Sequence, residues 1–81
     1  MKLVTQLELV KIFETNQTDV SHALYRVKPM NGRARRPLAY DWDEAREAMA
    51  RYWEKRAESY REKSETWQRR ADAARQTKEP E

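Results

Sequence analysis

Between Asn16 and Lys28 the side chains able to meet another molecule are hydrogen-bonding or basic: Asn16, Gln17, Thr18, Ser21, His22, Tyr25, Arg26 and Lys28. Arg33, Arg35 and Arg36 follow within a few residues. Amides, hydroxyls and an imidazole exchange hydrogen bonds with base edges, and arginine and lysine pair with phosphate. The chemistry this points to is recognition of double-stranded DNA, with no bond made or broken. The same residues would also suit an ordinary solvated helix face and a solvated charge run. Their place after a helix-turn-helix pattern favours the DNA reading. Catalysis is not expected: the carboxylates are spread along helix surfaces, and no cofactor motif is present. With one His and no Cys, no metal site, disulfide or thiolate nucleophile is expected.

The elements that must hold these residues can be read in order. Thr5-Gln6-Leu7-Glu8 is a capping box, with Val4 and Leu9 placed as a hydrophobic staple. It predicts a first helix from Gln6 to about Phe13, with Leu9, Ile12 and Phe13 inward. So short a helix needs a neighbour. Asn16 caps a second helix, and Asp19 adds negative charge at its positive end. Val20, Leu24 and Val27, with Ala23 beside them, make its inner face. Thr18, Ser21, His22, Tyr25 and Arg26 make the outer one. Two short helices joined by a tight turn form a helix-turn-helix, and the second has the composition of a helix that reads the major groove.

Pro29 ends the second helix. Asn31-Gly32 is a hairpin signal, and Leu38-Ala39-Tyr40 reads as a return strand. Residues 28–40 are therefore expected to form a small two-stranded wing, with Arg33, Arg35 and Arg36 placed to engage phosphates or the minor groove. Pro37 puts this strand at an edge or a bulge.

From Asp41 onward the sequence reads as one long helix. Asp41 and Glu44 form another capping-box pattern, and no Gly or Pro follows until Pro80. At ~1.5 Å per residue, a helix over 41–74 would be roughly 50 Å long. Trp42, Ala45, Met49 and Tyr52 should close the core of the head. Beyond them Trp53, Ala57, Tyr60, Ser64, Trp67, Ala71 and Ala74 alternate at spacings of four and three, the pattern of a coiled-coil seam. This line either folds back on its own domain or meets a partner. Because the head is too short to cover its far end, contact with a partner chain is the expectation, through Trp53, Ala57, Tyr60, Ser64, Trp67 and Ala71. A homodimer would set Arg56 against Arg61 and Arg70 against Arg75 when parallel. These like-charged pairs suit an acidic partner helix or the DNA backbone better.

The chain has 81 residues, of which 38% are hydrophobic and 38% charged. That allows one small core, of the kind that association with a partner completes. The net charge of +3 is uneven: seven basic against three acidic residues in 1–40, and ten against eleven in 41–81. A basic head is the footprint expected of nucleic-acid binding. No apolar run is long enough to span a membrane and no signal-peptide stretch opens the chain, so a cytoplasmic protein is expected.

The run Leu9-Val10-Lys11-Ile12-Phe13, the cap at Asn16, Val20, Pro29, the Gly-Arg wing and Tyr40-Asp41 before a helix resemble the MerR-like winged helix-turn-helix. The likeness covers about residues 5 to 53, and its motifs are mostly apolar spacing. It is closest to the DNA-binding domain of lambda-type phage terminase small subunits and to the small phage excisionases. The resemblance implies a mainly α fold: a winged helix-turn-helix head of two short helices and a small β-hairpin wing, then one long C-terminal helix. It implies a phage-type DNA-binding protein in a bacterial host cell, acting in packaging, excision or regulation, without a cofactor. The length favours an excisionase or small regulator. The chain departs from the pattern at Glu14, where the turn often has Gly, and at Ala23, where the reading helix often has an aromatic. Trp42 or Tyr25 would then fill the vacated core space. The expected division is a DNA-binding head over 1–53, an extended helix for partner or self-association over 54–76, and a flexible tail over 77–81. The alternative function is a small adaptor or inhibitor that works through the aromatic seam.

Overall fold

The computed structural model describes residues 2–31, 38–59 and 64–80. It is mainly helical, with β1 (Leu3–Thr5), α1 (Gln6–Ile12), α2 (Gln17–Ala23), β2 (Ala39–Asp41), α3 (Trp42–Ser59) and α4 (Ser64–Gln76) in chain order. The expected caps start the helices. At α1 the Thr5 hydroxyl accepts from the Glu8 N–H at 3.3 Å, and the Glu8 carboxylate accepts from the Thr5 N–H at 3.0 Å. At α2 the Asn16 side chain accepts from the Asp19 N–H at 2.9 Å. At α3 the Asp41 carboxylate accepts from the Glu44 N–H at 3.3 Å. Each bond satisfies a backbone donor that the first helical turn leaves unpaired.

The sheet differs from the expected wing. β2 occupies the expected return strand, but its partner is β1, antiparallel, with Val4 opposite Tyr40 and Leu3 opposite Asp41. Three residues are too few to display a period-two pattern, so β1 was hidden behind the helix signal that starts at Thr5. Thr5 and Asp41 each end a strand and cap a helix, so one small sheet launches both α1 and α3. The base of the 30–39 segment is closed by the Met30 N–H on the Ala39 carbonyl at 2.7 Å and the Ala39 N–H on the Asn31 side chain at 3.0 Å. Gly32, Arg33, Arg35, Arg36 and Pro37 lie outside the described residues.

The turn from α1 to α2 is a Schellman ending. The Thr15 N–H donates to the Val10 carbonyl at 3.1 Å and the Glu14 N–H to that of Lys11 at 3.4 Å. Glu14 is left-handed, with φ 49°. That is the conformation in which this motif usually uses glycine. The geometry is thus kept without the residue that adopts it most cheaply. Glu14→Gly is expected to raise unfolding stability by about 0.5–1 kcal/mol, since a side chain at positive φ costs somewhat more than glycine's extra backbone entropy. A urea titration at neutral pH reads this directly.

The single long helix is corrected. α3 ends at Ser59, α4 begins at Ser64, and α4 runs back antiparallel along α3. The longest dimension of the chain is 40 Å, shorter than the roughly 50 Å rod. The physical reason is burial. Breaking a helix forfeits a few backbone hydrogen bonds at a net ~1 kcal/mol each. Folding back removes large aromatic side chains from water, at roughly 1.5–3 kcal/mol apiece. Trp53 and Ala57 of α3 and Ala71 and Ala74 of α4 are buried, and Trp67 is half-buried. Arg75 locks the hairpin with hydrogen bonds to both carboxylate oxygens of Glu47, at 3.0 and 3.3 Å, and an ion pair to Glu54.

The core joins all the elements. Val4, Leu9, Phe13, Val20, Leu24, Tyr40, Trp42, Ala45, Met49, Ala50 and Trp53 are buried together with Ala71 and Ala74. Phe13 is the hub: its ring stacks on Trp42 at 5.8 Å and meets Trp53 edge-on at 5.8 Å. Of the two candidates for the space beside Ala23, Trp42 is the one inside, at 2% exposure, while Tyr25 is 83% exposed.

Candidate nucleic-acid interface

α2 is fixed at its start by more than its cap. The Asp19 carboxylate accepts from the Thr15 hydroxyl at 2.8 Å and, across to α3, from the Tyr52 hydroxyl at 2.8 Å. Arg56 of α3 pairs with it at 3.5 Å. Burial alone would raise the Asp19 carboxyl. The two hydroxyls and the charges of Arg56 and Arg70 outweigh burial and hold the group below its ordinary value. Burial, and then the hydrogen bond to Asp19, push the Tyr52 hydroxyl above its ordinary value, so it remains a donor at neutral pH.

With Val20 and Leu24 in the core, the other face of α2 is presented outward. Gln17, Thr18, Ser21 and His22 are exposed on it, and Tyr25, Arg26 and Lys28 are exposed just beyond its end. Asn16 is exposed as well, but its amide is engaged at the cap: besides accepting from Asp19, it donates to the Asp19 carboxylate at 3.4 Å. It positions the helix more than it is free to read a base.

Sequence reasoning missed three residues that the fold brings to this face. Gln6, the first residue of α1, accepts from the Ser21 hydroxyl at 3.3 Å and from the Gln17 amide, and donates to the Tyr40 hydroxyl at 3.4 Å. It fixes two candidate base-reading side chains in one polar cluster. Arg51 and Lys55 of α3 line an open groove with His22, Tyr25, Arg26 and Lys28, and carry the basic surface past the end of α2. Asp43, Glu44 and Glu47 line the opposite end of that groove. Glu47 pairs with Arg51 at 3.4 Å as well as with Arg75. The Arg75 hydrogen bonds exceed the effect of burial and keep the Glu47 carboxyl below its ordinary value. The only sequence signal for Gln6 is its N1 position in the capping box; Arg51 falls in the expected head and Lys55 in the expected extended helix, and no local pattern sets either beside α2.

The seam residues lie elsewhere. Trp53, Ala57 and Ala71, expected on a partner, are buried within the chain, and Trp67 is half-buried against α3. Tyr60 and the Ser64 side chain fall outside the described residues. Of the arginines that argued against a homodimer, Arg56, Arg70 and Arg75 are used internally, and Arg61 lies outside the described residues. The Arg56 guanidinium lies over the Trp67 ring at 4.8 Å and over Tyr52 at 5.4 Å, and that of Arg70 lies over Trp53 at 4.8 Å. A cation over an aromatic face contributes roughly 0.5–2 kcal/mol, more as the pair is desolvated.

Among the described residues, no group of three His, Cys, Asp or Glu could hold a metal ion. No helix among them is long and apolar enough to cross a membrane. Comparison with known proteins finds no matching family model, no matching curated protein and no matching solved structure.

Proposed function

We propose that this chain is a sequence-specific double-stranded DNA-binding protein built as a winged helix-turn-helix. In this reading α2 lies in the major groove and the arginine-rich segment after it holds the backbone. The observation that carries the reading is the division of α2. Its apolar side is spent in the core and its first turn is tied to α3. Its amide, hydroxyl, imidazole and basic groups are left outward as one continuous surface. A helix entering a groove needs a fixed axis and a free polar face. Gln17, Thr18, Ser21 and His22 would contact base edges, and Arg26, Lys28, Arg33, Arg35 and Arg36 would contact phosphates. The phage setting, as an excisionase, a small regulator or a terminase small-subunit-like protein, rests on the sequence resemblance.

The test is selection of bound sequences from a random duplex pool, followed by affinity measurement on the recovered site at several salt concentrations. Binding should weaken by roughly one power of salt per phosphate contact. Arg35→Ala should weaken binding to every sequence and lower the salt slope by about one. Ser21→Ala or His22→Ala should instead relax site preference, at about 1–3 kcal/mol per lost base contact. Absence of duplex binding at low salt would end this reading. The alternative of an adaptor acting through the aromatic seam requires α4 to leave α3, because Trp53 is buried and Trp67 is half-buried within the chain.

A further inference from the structure

We infer that Arg70 of α4 is a positioning residue for the reading helix: it latches the α1–α2 turn and so sets the angle at which α2 is presented. The inference rests on the DNA-binding reading for its functional consequence, but not for its structural one. The α1–α2 turn has an unusual need. Glu14 holds a left-handed backbone, which a residue with a side chain adopts at a cost. The turn's N–H groups are used on the end of α1. One side chain takes two of its carbonyls. The Arg70 Nη2 donates to the Phe13 carbonyl at 3.1 Å and to the Glu14 carbonyl at 2.9 Å. This donor is 56 residues further along the chain than Glu14.

Arg70 is itself held in place. Its guanidinium lies over the Trp53 ring at 4.8 Å, and Trp53 meets Phe13 edge-on. The carbonyl and the ring of Phe13 are therefore both linked to the Arg70–Trp53 pair. Two residues beyond the left-handed position, Asn16 begins α2. A rotation at Glu14 would shift the path by which the chain enters α2, whose first turn is also tied to α3 through Asp19 and Tyr52. α4 is thus linked to the outward polar face although it contributes nothing to that face.

The latch predicts a specific non-additivity. Arg70→Met keeps an apolar stem over Trp53 but cannot donate to the carbonyls. Glu14→Gly removes the penalty that the latch offsets. The two should be coupled. In Arg70→Met, amide exchange at Glu14 and Thr15 should quicken about tenfold, the size expected for one to two lost hydrogen bonds. Exchange at Met49 and Ala50 in the middle of α3 should change less than twofold. Preference for the selected duplex over a random one should fall about tenfold, while binding to the random duplex changes little beyond the loss of one charge. Adding Glu14→Gly to Arg70→Met should restore both the exchange pattern and the preference to within about threefold of wild type.

Uniformly faster exchange across the chain would make Arg70 an ordinary stabilising residue and overturn the inference. So would purely additive effects of the two substitutions. If Arg70→Met does not fold in dilute buffer, its exchange is measured in a stabilising sulfate buffer: turn amides faster than α3 amides support the latch, and equal rates reject it. If the wild type binds no duplex, the DNA reading fails and the exchange pattern alone decides whether the latch exists.

Discussion

Trp53→Ala is expected to leave the chain largely unfolded at neutral pH and room temperature. Trp53 is 1% exposed, meets Phe13 edge-on and lies under the Arg70 guanidinium. Truncating a buried Trp typically costs about 3–5 kcal/mol. At ~0.05–0.15 kcal/mol per residue a domain of 81 residues is stable by about 4–12 kcal/mol, and so small a core places it toward the lower end, where one such loss takes most of the stability. The hole would open where α1, α3 and α4 meet, so neighbouring side chains could not close it by moving one element. Trp67→Ala should cost less, about 1–2 kcal/mol, because Trp67 is half-buried and mainly supports Arg56. Urea midpoints with near-ultraviolet dichroism separate the cases. A Trp53 residue serving a partner seam would give the opposite result: an isolated variant with an unchanged midpoint and only association lost. That outcome would show that α4 does not rest on α3 in solution.

The contrast between these two tryptophans explains what the sequence could and could not disclose. The caps at Thr5, Asn16 and Asp41 were legible because a cap is local: a side chain meets a backbone amide three residues away, and both partners are visible in four letters. The inward faces of α1 and α2 were legible for the same reason. The break between α3 and α4 was not. Residues 60–63 contain no Gly or Pro, and spacings of four and three look alike whether the facing helix belongs to another chain or to the same one. The basic flanks held the better clue. Arg56 and Arg70 made a homodimer unattractive, but the remedy lay in Asp19 and in the carbonyls of Phe13 and Glu14, which are distant in sequence. Long-range satisfaction of a backbone turn leaves no periodic trace. Likewise Gln6 joins the outward polar face of α2 only because α1 and α2 begin close together, a fact of packing. The outward set Thr18, Ser21, His22, Tyr25 and Arg26 could be separated from the inward set by helical period alone, and the fold keeps that division.

Acid should loosen the anchor of α2 before it unfolds unrelated parts of the surface. Asp19 and Glu47 both sit below their ordinary carboxyl values in the folded chain. The unfolded chain therefore binds more protons than the folded one as pH falls. The stability these groups contribute is fully present above the unfolded carboxyl value, near ~4. It is lost as pH drops further, through their folded values. Tyr52 runs the other way: raised in the fold, its contribution is complete below ~10 and disappears as pH climbs through its folded value. Stability should thus be flat across the neutral range and fall at both ends. Asp19→Asn tests the acid limb. The amide keeps an acceptor for the Tyr52 hydroxyl but loses the charge that faces Arg56. It should cost about 1.5–3 kcal/mol at pH 7 and flatten the decline below pH ~4. Glu47→Gln should have a smaller effect, suppressed by salt, because its pairs with Arg51 and Arg75 are more exposed. Urea unfolding at a series of pH values, for wild type and both variants, gives the comparison. Parallel acid limbs for wild type and Asp19→Asn would show that the carboxylate does not hold α2 to α3. In the proposed DNA-binding role, the same loss should appear as weaker site preference at acidic pH in the wild type, and as weak preference at every pH in Asp19→Asn.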